Sequence, residues 1–98
     1  MRRREVRVAE SFFEELDVQL GQERGPNGEP SATDFLVFDL PSIVERFATA
    51  FDELPEVMAG LSAARMYIGS SALLPAFVVH GLELEDGIVV LVGIEIDE

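Results

Sequence analysis

The chain has no cysteine and no lysine, only one histidine, and no long apolar run; its longest, Ile88 to Ile94 with Gly93 included, is seven residues. Without cysteine there is no disulfide scaffold, no thiolate metal site and no cysteine nucleophile. A run of seven is far short of the roughly 20 residues that a membrane-spanning helix needs. Without lysine, a basic face that could neutralise phosphates has little to be built from, which argues against nucleic acid as a partner. The basic N-terminus, Met1 to Arg4, leads into an acidic amphipathic stretch, unlike the apolar core of a signal peptide. The expectation is a soluble cytoplasmic protein without cofactor or metal.

What is present is acid. Nineteen Asp and Glu face seven Arg, for a net charge of −12. The balance is uneven: four arginines against Glu5 make residues 1–7 net +3, and three arginines against eighteen acids make residues 8–98 net −15. Such a surface favours solubility and repulsion between copies. It would also suit an acidic protein that competes for a basic partner. Ninety-eight residues, 48% of them apolar, suffice for a single domain with one core.

Arg4 to Ala9 alternates charged and apolar side chains, which predicts a half-buried strand. Ser11 and Glu14 have the spacing of a capping box, and Phe12, Phe13, Leu16 and Leu20 follow at helical intervals up to Gly21. Gly25 to Pro30, with two Gly and two Pro, reads as a projecting loop. Residues 34–40 suit either a strand or a short helix capped by Ser31 or Thr33, and the reading leans to a helical turn. Ser42 and Glu45 repeat the capping-box spacing after Pro41. The stripe Ile43, Val44, Phe47, Ala48, Phe51, Leu54 predicts a second helix ended by Pro55.

The last third reads as strands: Arg65 to Gly69, Phe77 to Leu84 and Ile88 to Ile96. Glu85-Asp86-Gly87 is the expected three-residue hairpin loop, with Gly87 supplying a positive φ. That register puts Val78, His80, Leu82, Leu84, Ile88, Val90, Val92 and Ile94 on one face. Phe77, Val79, Glu83, Val89, Leu91 and Glu95 fall on the other. Both faces are apolar, whereas a two-helix hairpin covers one, so something else is expected to cover the second. Val79, Val89 and Leu91, with Tyr67, are the candidate partner-binding residues. They would hold a homodimer or a heterologous helix. The acids Glu83, Glu85, Asp86, Glu95 and Asp97 read as solvated side chains.

Three passages together resemble the RelE/ParE toxin superfamily. Glu5-Val6-Arg7-Val8-Ala9 through Leu16 is similar to the family's opening strand and first helix. Leu54-Pro55 followed by Arg65 resembles its leucine–proline…arginine passage. Phe77 to Gly81 and Asp86 to Leu91 resemble its closing hairpin. The resemblance covers most of the chain, with about 21–41 as a loop insertion. It implies an α+β fold: an N-terminal strand, a two-helix hairpin, then a mostly antiparallel sheet of three further strands. It implies a toxin-like component of a toxin–antitoxin type system, with an antitoxin-like peptide or helix as partner.

Family members that cleave messenger RNA on the ribosome do so with basic residues and often a C-terminal His or Tyr. Here Arg65 matches, while Val78 or Val79 stands where the family places an arginine, and the C-terminal position falls near Glu95. One Arg and one His fall short of the usual set for general acid–base and electrostatic catalysis. The expectation is therefore action through protein contacts without ribonuclease activity. The alternative is a ribosome-dependent endoribonuclease with Arg65 and His80 as catalytic residues. His80 also fits a plain place on the sheet with one satisfied hydrogen bond, and Arg65 a pairing with a local carboxylate.

Overall fold

The computed structural model describes residues 3–21, 26, 31–71, 74 and 76–97. The chain runs β1 (Val6–Val8), α1 (Glu10–Leu20), α2 (Ala32–Phe38), α3 (Leu40–Thr49), a 3-10 turn (Phe51–Glu53), then β2 (Ala64–Gly69), β3 (Ala76–Glu83) and β4 (Val89–Asp97). The strands form one sheet in the order β1-β4-β3-β2, parallel between β1 and β4 and antiparallel elsewhere. This is an α+β fold with its helices on one face of a mostly antiparallel sheet. No helix among the described residues is long and apolar enough to cross a membrane.

The helical half departs from the two-helix expectation. Residues 34–40 are helical: Ser31 Oγ accepts from the Asp34 amide at 3.1 Å and Asp34 accepts from the Ser31 amide at 3.0 Å. That reciprocal cap opens α2 and makes three helices out of the expected two. Most of the projected Gly25 to Pro30 loop lies outside the described residues. The other two capping boxes do not form. α1 starts two residues earlier behind Ala9, and the Ser11 hydroxyl donates to the Val92 carbonyl at 2.7 Å. α3 starts at Leu40, so Ser42 lies inside its first turn and donates to Asp39 O at 3.0 Å, while Glu45 pairs with Arg3 at 2.6 Å. Ser11 and Glu45 thus engage tertiary partners, while Ser42 bonds within its own first turn. Gly21 does close α1, with φ 77° and its amide on Asp17 O.

The hairpin follows the expected register at its tip. Glu83 pairs with Val89, Leu82 with Val90 and Gly81 with Leu91, and Gly87 has φ 86°. Beyond that, His80 pairs with Gly93, which leaves Val92 as an extra residue in β4. The bulge exchanges faces. Ile94 turns into the core and is fully buried, and Glu95 turns out to solvent, the reverse of the strict alternation. Glu83 and Glu95 therefore lie on opposite faces of the sheet.

The core is Phe12 and Leu16 of α1, Phe35 of α2, Ile43 and Phe47 of α3, and Phe51, packed on Phe77, Val79, Val89, Leu91 and Ile94. Phe13, which the sequence places in the apolar stripe of α1, is 38% exposed. One close approach sets the helix–sheet fit. A Cβ on Gly81 would lie 2.4 Å from Phe47 Cε1, so the missing side chain is what lets the ring sit on β3.

β4 has two kinds of neighbour along its outer edge. β1 pairs with Val89 to Leu91 only. Past that point the polar stripe Ser11, Glu15, Gln19 of α1 takes over. Ser11 bonds the Val92 carbonyl, and Glu15 Oε1 accepts from the Ile94 amide at 3.1 Å. The Gln19 amide group donates to Ile94 O at 2.7 Å and accepts from the Ile96 amide at 2.6 Å. Side chains at i, i+4 and i+8 of one helix thus stand in for the backbone of a missing strand.

Candidate interaction surface

The helices cover the face that carries Val79, Val89 and Leu91, and all three are at 0% exposure. Tyr67, on the same face, is half-buried and stacks on Phe77 with ring centroids 6.1 Å apart. The residues expected to meet a partner are therefore core, and a homodimer through them has no surface to use. The reason is steric. This face joins Phe77, Val79, Val89 and Leu91 to Ile94 and Ile96 through the bulge, and Gly81 opens a seat for Phe47. The opposite face has His80 at its centre.

That opposite face holds the apolar surplus. Register places Met66 beside His80, Ile68 beside Val78, and Ala64 beside Leu82, which in turn pairs with Val90. Ile68 is 62% exposed, Leu82 38% and Leu84 43%, with Met66, Val78, Ile88, Val90 and Val92 half-buried. Residues 55–57 extend the face by running antiparallel beside β2: Val57 donates to Ala64 O at 2.9 Å and Met66 to Pro55 O at 3.0 Å. Val57 adds another exposed apolar side chain. Among the described residues no helix lies over this surface. An apolar sheet face calls for a covering layer, and among the described residues only one of the two faces has one.

Arg65 and His80 are not brought together. Arg65 pairs with Gly81, so it shares the helix-covered face with Phe47, while His80 stands on the bare one. Arg65 is also spent on structure. Its Nε donates to Ser62 O at 2.8 Å and Nη1 to Leu54 O at 2.8 Å, with Glu56 at 4.0 Å and the Phe51 ring centroid 5.7 Å from Cζ. This guanidinium ties the 3-10 turn to the start of β2 and is largely buried.

A cleft of about 870 Å³ lies between Arg3 and Arg4, the 3-10 turn and the hairpin tip. Its cations are taken. Arg3 is bound to Glu45. Arg4 donates to Glu83 at 2.7 Å and to Asp52 at 3.3 Å, with Phe51 5.0 Å from Cζ. The Glu83 hydrogen bond is the largest cause that raises the Arg4 pKa above its ordinary value, and it outweighs burial. The cleft is lined by further acids at Glu53, Glu85 and Asp86, and among the described residues it offers no free cation to a phosphate. Among the described residues no group of three or more His, Asp or Glu could hold a metal ion.

The bare face was legible in part. The strand alternation identified two apolar faces and grouped His80 with Val78 and Leu82. The choice of face needed the Gly81–Phe47 fit, whose one sequence signal is a glycine in the middle of an apolar strand. Comparison of the chain with family models, curated proteins and solved structures returned no match.

Proposed function

We propose that the protein is a toxin-like component of a toxin–antitoxin type system, acting through protein–protein contacts without ribonuclease activity. The resemblance to RelE/ParE toxins supplies the system, with α2 an addition to the implied order. One observation carries the mode of action: the uncovered sheet face of Met66, Ile68, Val78, Leu82, Leu84 and Val90. Contiguous apolar surface of this kind on a folded domain marks an interaction site. The separation of Arg65 from His80 supports the same reading, because general acid–base chemistry needs its groups within reach of one reacting centre.

Induced expression in a bacterial host, paired with a reconstituted translation assay, tests the proposal. The expected result is growth arrest that Leu82→Asp relieves, with messenger RNA left intact. Growth unaffected at every expression level would remove the toxin reading. Ribosome-dependent cleavage lost on His80→Ala would replace it with the endoribonuclease.

A further inference from the structure

Strand addition is closed along most of the sheet's border. On β4, β1 takes residues 89–91, and Ser11, Glu15 and Gln19 occupy the backbone from 92 to 96. On β2, residues 55–57 take the stretch 64–66. Among the described residues, what remains is β1 itself, three residues long, and residues 67–69 of β2. Edges that short give a partner strand too few backbone bonds to hold it. A partner meets this sheet face-on. An α-helix suits that approach because it satisfies its own backbone groups and needs no edge.

Charge narrows the choice. The centre of the bare face carries His80 among apolar side chains, and the formal charges lie at its border. There Arg7 is bound to Glu5 at 2.5 Å, while the exposed Glu95, and Glu85 and Asp86 at the hairpin tip, which also line the cleft beside Arg4, have no cationic partner among the described residues. A second copy would set these acids against their equivalents, and a chain of net −12 against another.

Resting on the protein-contact reading above, we propose that the bare sheet face binds a basic amphipathic helix of a different protein. The helix lays its apolar stripe over Met66, Ile68, Val78 and Leu82. Its flanking Arg or Lys side chains reach Glu85, Asp86 and Glu95.

The test uses two synthetic helical peptides with the same leucine face, one with arginine flanks and one with glutamate flanks. Binding to the full chain is measured by calorimetry and mapped by amide chemical shifts. The arginine peptide should bind at least about tenfold more tightly at low salt, shift the outer-face amides, and lose much of its advantage as salt rises. Leu82→Ser should weaken both peptides. Glu85→Lys, Asp86→Lys and Glu95→Lys together should reverse the preference while leaving the melting temperature near that of the parent. No binding of the arginine peptide, or shifts confined to the cleft beside Arg4, would overturn the proposal. Equal binding of both peptides at the outer face would overturn the charge preference alone and leave the protein-contact reading standing. A dimer in sedimentation that Leu82→Ser dissolves would overturn the proposal, since a second copy would then be the occupant, and would leave the protein-contact reading standing.

Discussion

The two faces of the sheet are drawn from the same strands and nearly the same amino acids, yet they differ completely in what surrounds them. Val79, Val89, Leu91 and Ile94 have no exposed surface, whereas Ile68, Leu82 and Leu84, on the other face, are 38% or more exposed. Hydrophobicity does not separate the two sets. Shape does. The inner face has a glycine where Phe47 must sit and a bulge that adds Ile94 to the buried row. The outer face has an imidazole at its centre and no such seat. A face chosen for packing is thus a matter of fit, and the face left over is available for another molecule.

The largest way to break this comparison is to hollow out the inner side. Phe47→Ala should destabilise the domain by about 3–5 kcal/mol, comparable with the whole stability of a domain this size. An unchanged melting temperature would mean that the ring does not pack on Gly81. A smaller effect is expected where α1 replaces a strand. Gln19→Ala removes two hydrogen bonds to β4 and should cost on the order of 1–2 kcal/mol. Hydrogen exchange should show the Ile96 amide losing protection while those of β3 keep theirs. Equal protection in parent and variant would show that this edge does not depend on the side chain. The smallest effect is expected on the outer face. Leu82→Asp should shift stability by no more than about 0.5 kcal/mol, because its side chain already meets solvent. A loss of several kcal/mol there would mean that something in the protein covers that face.

Several elements were readable without the structure, each because its signal is local. β1, α1 and α3 announce themselves by alternation or by a 3.6-residue stripe, and the Glu85-Asp86-Gly87 loop by its glycine. The capping boxes at Ser11 and Ser42 were misread for a physical reason. Spacing shows that a hydroxyl can cap, but both helices start ahead of these serines, behind Ala9 and Asp39, so each hydroxyl lies in a first turn and donates to a carbonyl instead. Glu15 and Gln19 carry no signal of their own beyond standing with Ser11 in a polar stripe at intervals of four. The bulge at Val92 has no local signature in a run of Ile, Val and Leu. For that reason strict alternation placed Ile94 and Glu95 on the wrong faces.

The amino-acid sequence by itself determined the fold class, the strand and helix segments other than α2, the acidity of the chain, and the existence of two apolar sheet faces. These follow from composition and periodicity, which act over a few residues. Which face the helices take, which side chains close the edge of β4, and the separation of Arg65 from His80 were decided only in the tertiary structure. Each depends on groups up to 81 positions apart, as between Ser11 and Val92. Their fit is a property of the packed chain, and no local pattern encodes it.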